Sequence, residues 1–353
     1  MYKVYCGKIF EKKQIIELLS PNLSGPRWGL WDEKLPTLSE RVVEVVSVPE
    51  EADFFLLPHN YNHLLNEGEH VTKFAEEARN LGKKVVIFFP GDSDAHLQFS
   101  NAVVFRNSQY KSRLLPNEII LPGYVEDLGS GGISPKLKEV SETPTVGFCG
   151  WADFKTIKHR LISMVKVGIS TLQYFLGDKE SLVRRKGIWW RIKLLRILAK
   201  SNKVKSNFII RKSYSGSQKT IELSPEQARK EYVENIIQSD FTLCVKGDGN
   251  FSTRFFETIS LGRIPLFIDT DCPLPLDGTI DYSKFIFRVD YKNIKELPEL
   301  LTDFYRNLSE EQFVVMQKQA RETFEKYLRI DSFLQYVFTP DFIGLYLSQK
   351  ISN

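Results

Sequence analysis

The residues best suited to chemistry run from Cys244 to Glu257, Cys-Val-Lys-Gly-Asp-Gly-Asn-Phe-Ser-Thr-Arg-Phe-Phe-Glu, and lead into Thr258-Ile-Ser-Leu-Gly-Arg-Ile-Pro265. A β-rich run, Phe241 to Val245, enters this stretch. Gly247 and Gly249 are expected to take backbone angles that a side chain resists. Ser252 is a suitable N-cap for the helix that follows. Phe255, Phe256 and Ile259 form one face of that helix, while Arg254, Glu257 and Thr258, at i, i+3 and i+4, share another. Gly262 suits the helix end, and Ile264 to Ile268 reads as the next strand. A helix N-terminus carries free N–H groups and partial positive charge. With Lys246 before it, Thr253 at its start and Arg254 inside it, the loop is built to hold an anion such as a diphosphate. An ordinary β-loop-α turn has the same outline, and a bare Gly-x-Gly fits either reading.

The elements around this stretch alternate. Short apolar runs at Lys3 to Tyr5, Ala52 to Leu57, Lys84 to Phe88, Ala102 to Phe105 and Glu118 to Leu121 read as strands, with a helix at Glu67 to Leu81 between two of them. Thr145 to Cys149, Asn207 to Arg211, Phe241 to Val245, Ile264 to Ile268 and Phe285 to Val289 are a second set of strands. Helices are expected at Lys158 to Val167, Glu226 to Gln238, Ile294 to Asn307 and Glu310 to Tyr327. Alternation of this kind predicts α/β architecture with mostly parallel sheets. A length of 353 residues accommodates two domains. The expected division is 1–135, then 145–330, with a helical tail at 331–353 that packs back on the first domain. The Gly129-Ser-Gly-Gly132 stretch serves as the linker.

Composition is globular, with 42% apolar and 26% charged residues, which excludes a disordered chain. Cys6, Cys149, Cys244 and Cys272 stand singly, three of them in or at the ends of apolar runs, so they read as buried reduced thiols. The five histidines form no zinc-ligand spacing with them. No run approaches the roughly 20 apolar residues of a spanning helix, and no signal-peptide pattern follows Met1.

The whole string is more specific than its glycines. It resembles the exostosin family of glycosyltransferases, which carries Leu-Cys-Pro-Arg-Gly-x-Gly, then Ser-x-Arg-Phe-(Trp/Phe)-Glu-Ala, then Gly-Cys-Ile-Pro. Here the matching positions are Leu243, Cys244, Gly247, Gly249, Ser252, Arg254, Phe255, Phe256, Glu257, Gly262, Ile264 and Pro265. Val245, Lys246 and Arg263 depart from the pattern; Lys246 keeps the family's charge without the bidentate fork. Ala52 to Pro58, Phe148-Cys149-Gly150 with His159-Arg160, and Ile268 to Tyr282 resemble further segments of the family. The resemblance implies two Rossmann-like domains facing a cleft, the B-type glycosyltransferase fold. It also implies an inverting transfer from a nucleotide-diphosphate sugar, a uridine one, to a hydroxyl of a glycan or lipid-linked glycan. Arg160, Arg211, Lys246, Ser252 and Arg254 are then the groups to neutralise the departing diphosphate, and Glu257 accepts hydrogen bonds from ribose hydroxyls. Folds of this type usually need no metal, so neither metal nor other cofactor is expected. A non-catalytic binding protein on a transferase scaffold is one rival reading, and a membrane- or polyanion-binding module centred on the basic 155–220 segment is the other.

An inverting transfer needs a base within reach of the acceptor hydroxyl. The strand from Lys84 to Phe89 ends in Pro-Gly-Asp-Ser-Asp-Ala-His96, which places Asp92, Asp94 and His96 where a strand meets a loop. Asp92 and Asp94 rank above His59, which follows the Phe54 to Pro58 run. Asp92-x-Asp94 and Asp269-x-Asp271 also spell the D-x-D pattern of metal-dependent transferases, a pattern too short to carry that reading.

Charge is unevenly spread. The chain carries a net +4, yet residues 155–220 hold 17 Lys+Arg against 2 Asp+Glu. Within them Gly187 to Lys200 reads as a helix, with Lys186, Lys193, Arg196 and Lys200 on one face and Trp190, Leu194, Ile197 and Leu198 on another. Such a helix at 182–200 fits an anionic membrane surface, or a core-packed helix with a solvated basic face. No RNA- or DNA-binding module accompanies the charge, so nucleic acid is not an expected partner. Animal members of the family have an amino-terminal membrane anchor that this chain lacks. A cytoplasmic enzyme, peripheral on the inner face of a membrane, is the expected setting.

Overall fold

The computed structural model describes residues 1–23, 34–139, 143–154, 156–212 and 223–349. The chain forms two compact units. One is Met1–Asp127 with Pro273–Asp277 and Glu325–Asn353; the other is Leu128–Cys272 with Gly278–Phe324.

The first unit holds β1 (Tyr2–Tyr5), β2 (Val43–Val46), β3 (Phe54–Leu56), α1 (Gly68–Asn80), β4 (Val85–Phe89), β5 (Ala102–Arg106) and β6 (Glu118–Ile120). The strands order as β2-β1-β3-β4-β5-β6, every pair parallel. β4 is Val-Val-Ile-Phe-Phe, buried at every residue, as a central parallel strand covered on both faces requires. α1 lays Val71, Phe74, Ala75 and Ala78 on the core at i, i+3, i+4 and i+7. β2 falls in the β-branched run Val42-Val-Glu-Val-Val-Ser-Val48. It is a four-residue edge strand, Val-Glu-Val-Val, with only Val43 buried.

The second unit starts with β7 (Thr145–Trp151). Then come α2 (Ile157–Phe175), α3 (Gly187–Lys200), β8 (Lys205–Arg211), α4 (Pro225–Gln238), β9 (Phe241–Cys244), α5 (Thr253–Ser260), β10 (Ile264–Asp269), β11 (Phe287–Asp290), α6 (Leu297–Asn307) and α7 (Glu310–Thr323). Strand order is β11-β10-β9-β7-β8, again parallel throughout. Both units are therefore open parallel α/β sheets, in agreement with the alternation of elements. Phe241 centres the second core, with the rings of Phe287, Phe304, Tyr305 and Phe313 all within 6.2 Å. α2 runs a further two turns beyond its expected end, because one glycine, Gly168, weakens a helix without stopping it.

α3 matches its expected bounds, and its apolar side is spent inside the unit. Trp190, Leu194, Leu195 and Leu198 belong to the buried core, while Lys193, Arg196 and Lys200 face water. The apolar contact that a membrane surface at 182–200 needs is thus already made within the protein. Lys155 and residues 213–220 of the basic segment lie outside the described residues.

The chain ends in α8 (Ile330–Val337) and α9 (Pro340–Leu347), grouped with the first unit. Phe338 stacks against Phe105 and Phe88 at 5.5 and 6.5 Å between ring centres. All four cysteines are buried thiols, and burial pushes Cys6 and Cys244 up to about 12. Among the described residues no helix is long and apolar enough to cross a membrane.

Candidate functional site

In the second unit the order of β8, β7, β9, β10 and β11 reverses direction between β7 and β9. Chain segments leaving two such strands part to opposite faces, which opens a crevice at their carboxyl ends, the usual ligand position in open α/β sheets. The loop after β9 and the start of α5 lie there. Ser252 takes the extended N-cap conformation (φ −137°, ψ 112°), yet its hydroxyl makes no capping bond. At the other end Gly262 is left-handed (φ 58°), and its N–H bonds Ile259 O while that of Arg263 bonds Thr258 O, both at 3.0 Å. That double bond pattern stops α5 after eight residues and turns the chain into β10.

The loop glycines work differently from expectation. Neither Gly247 nor Gly249 has a positive φ. The strict demand falls on Gly187 at the start of α3, whose added Cβ would sit 2.1 Å from Lys246 O and 2.4 Å from Gly247 O. Its own N–H donates to Gly247 O at 3.0 Å, so α3 buttresses the loop backbone to backbone. Arg191 adds bonds to Lys246 O (3.4 Å) and Trp151 O (3.3 Å).

Arg254 crosses the crevice from α5 to β7. One terminal nitrogen donates to Cys149 O at 2.7 Å, and the guanidinium lies 4.2 Å over the Phe148 ring. Its Nε is buried with no partner. Gly150 makes room for it: φ there is 153°, and an added Cβ would come within 2.7 Å of the guanidinium. Burial works against the charge, but Tyr232, Cys244 and Glu257 outweigh it and hold Arg254 above its ordinary value. One turn along, Glu257 does not pair with Arg254. It accepts from Arg229 at 2.9 Å and from the Tyr232 hydroxyl at 2.5 Å, both on α4. Burial, then the Glu257 charge, drives the Tyr232 phenol well above its usual range, so it stays a donor. Arg211 ends β8 in register with Trp151. It pairs with Glu231 at 3.1 Å and keeps one terminal nitrogen buried without a partner. Burial raises Cys149, while Arg211 and Arg254 oppose the rise, so both cations face its thiol.

The remaining expected residues divide. Lys246 is 3% exposed, with its ammonium on Val183 O at 3.1 Å, so it ties the loop to the segment before α3 rather than reaching the crevice. Thr253 is exposed at the start of α5, and Arg160 is exposed on the first turn of α2. Between α2 and the start of α3 lies a cavity of about 680 Å³ whose walls include Trp151, His159, Lys166, Arg185, Trp189 and Asp248. Its volume is that of a small-molecule site. Arg185 belongs also to the α2 anchor, with Nε on Ser170 Oγ at 2.8 Å.

In the first unit His59 is fully buried and used twice. Its Nδ1 donates to Gln14 O at 2.7 Å and its Nε2 accepts from Phe10 N–H at 2.9 Å. Only the neutral Nδ1–H tautomer satisfies both, so His59 pins the loop after β1 and has no nitrogen to offer as a base. Asp92 is exposed in the loop after β4, and Asp94 is ion-paired with Arg113 at 3.2 Å. His96 contacts Glu118 at 3.2 Å. Asp269, the first residue of the second D-x-D, is clamped by Arg288 at 2.8 Å. Sequence reasoning missed Arg229 and Tyr232. Their i, i+3 spacing puts them on one face of α4, but nothing local says that this face turns toward α5.

Residues 153–304 match the family model of the Exostosin GT47 domain. The "Exostosin-1 homolog" of Caenorhabditis elegans is 33% identical over 104 residues, 30% of this chain and 26% of that protein. The chain thus matches about a quarter of that relative's length. Among solved structures, the crystal structure of TarM aligns over 77% of this chain and 57% of its own at 11% identity and a TM-score of 0.36. A glycosyltransferase from Rickettsia africae ESF-5 aligns over 81% of both chains at 14% identity, also with a TM-score of 0.36.

Proposed function

We propose that this protein, whose second unit carries an exostosin-like glycosyltransferase domain, moves a sugar from a uridine diphosphate sugar to a hydroxyl of a glycan or lipid-linked glycan, with inversion. The observation that carries the reading is Arg254: a cation fixed in the β7/β9 crevice beside the start of α5, with a buried N–H donor unused. A diphosphate there meets the helix N-terminus, the Ser252 hydroxyl and the Arg254 fork. These groups strengthen their hold as the bond from the anomeric carbon to the diphosphate oxygen breaks and charge gathers on that oxygen. No step requires a metal. Arg211, with its own unused donor, is the second cation. Glu257 keeps acceptor capacity beyond Arg229 and Tyr232 and takes the ribose hydroxyls. Lys246 and Gly247 shape the loop that holds them. The acceptor oxygen attacks the opposite face of the sugar ring as its proton passes to a general base.

Calorimetry with uridine diphosphate and a panel of nucleotide-sugars tests the donor site. Binding by the intact chain, and its loss in Arg254→Ala with the fold retained by circular dichroism, is expected. Absence of binding across the whole panel overturns the proposal. The anomeric configuration of the product, read by NMR, tests inversion, and activity in excess chelator tests metal independence.

A further inference from the structure

α2 is turned inside out relative to an ordinary surface helix. None of its residues is buried, and its most exposed apolar residues form one outward stripe. Ile157, Leu161, Val165, Leu172 and Phe175, with Leu176 just after it, recur at helical spacing and are 57 to 78% exposed. The inward side is mixed, with Ile162 and Val167 among polar residues. Ser163, Lys166, Ser170 and Gln173 line the cavity shared with α3, and Arg185 holds this side through Ser170 Oγ at 2.8 Å and Thr171 Oγ1 at 2.6 Å. A helix of a globular protein normally buries the apolar stripe and wets the polar one.

The charges say what covers that stripe. Lys158 and Arg160 lie within or beside it, both exposed, and no acidic residue occurs between Phe154 and Gly177. A second copy of this chain would bring two cationic faces together at that contact. An anionic bilayer supplies both an apolar interior for the leucines and phenylalanine and phosphate headgroups for long side chains that reach up to the interface. We propose that α2 docks the second unit flat on an anionic lipid surface, over a helix about 28 Å long. This is a different surface from the α3 segment, whose apolar side is in the core, and it requires neither donor nor acceptor.

The test is flotation of the full-length protein with vesicles of phosphatidylcholine alone or mixed with phosphatidylglycerol. The expected result is binding to the mixed vesicles, weakened by salt, and at least about tenfold less bound protein for Leu172→Glu/Phe175→Glu and for Leu161→Glu. Both variants alter exposed side chains, so their melting temperatures should match the parent's and separate lost docking from lost folding. Three results overturn the proposal: no flotation of the parent protein with mixed vesicles; flotation unchanged in the α2 variants but abolished by Lys193→Glu/Arg196→Glu on α3; or a parent dimer in solution that Leu172→Glu/Phe175→Glu dissociates, without vesicle binding.

Discussion

Arg106 in the first unit and Arg254 in the second both sink a guanidinium among aromatic rings, yet they are held in opposite ways. Arg106 is fully buried, 5.6 Å from the Phe89 ring centre, and every nitrogen is engaged. Its Nε donates to Ser108 O, one terminal nitrogen to Ala95 O and the Glu118 carboxylate, and the other to Ser93 O. Arg254 donates to Cys149 O, rests on Phe148, and keeps its Nε unpartnered. A buried donor left open costs free energy, about 1–3 kcal/mol, so a folded chain rarely leaves one without a use. For these two residues, spent and unspent donors set the arginine that holds a loop apart from the one with a donor left for an anion. Arg263 falls with the first kind: it is buried, its five acceptors are four backbone carbonyls and the Gln317 side chain, and burial lowers it to about 10.

The comparison breaks most directly at Arg106. Arg106→Leu strands the Glu118 carboxylate in the interior and should cost about 3–5 kcal/mol in urea unfolding of the first unit, with donor binding by the second unchanged. A smaller loss would mean that a filled set of bonds does not mark a structural arginine. Gly150→Ala comes next. The backbone there is one that L residues resist, and the new methyl meets the Arg254 guanidinium, so about 1–3 kcal/mol of strain is expected. Donor affinity should fall with it; unchanged calorimetry would detach Arg254 from the site. Tyr232→Phe removes the donor to Glu257 and should cost about 1 kcal/mol of stability, with a weaker effect on donor binding than Arg254→Ala.

The smallest effect is a pH dependence in the first unit. Burial holds His59 below its ordinary value of 6.5, and His63 likewise. The unfolded chain then binds more protons than the folded one between the two values. Their contribution is complete above pH 6.5 and is lost as pH falls below it toward the folded values. Melting temperatures of the parent from pH 8 to 5 should slope downward with acid, and His59→Gln should flatten part of that slope while leaving the share due to His63.

Much of this arrangement is legible in the residues themselves. The alternation of apolar runs and helical patterns yields two parallel sheets, because strand and helix periods are local properties of the chain. The bounds of α3 follow from side-chain spacing, and the stop of α5 from the glycine at 262. The β2 strand is legible in its β-branched run, Val42-Val-Glu-Val-Val-Ser-Val48, although at the sheet edge it buries only Val43. The demand for glycine at 187 is not legible, because the close approach that requires it joins residues sixty apart.

What the sequence by itself determined is which residues share a face: Arg254 and Glu257 on α5, the apolar stripes of α2 and α3, the basic flanks of each. The tertiary structure alone decided where those faces point. α2 and α3 are both basic and both amphipathic, yet one turns its apolar stripe outward and the other buries it. Glu257 likewise turned to Arg229 and Tyr232 rather than to its helical neighbour. Helical periodicity fixes angles about an axis, whereas the direction of a face depends on what packs beside it, and those partners come from distant parts of the chain.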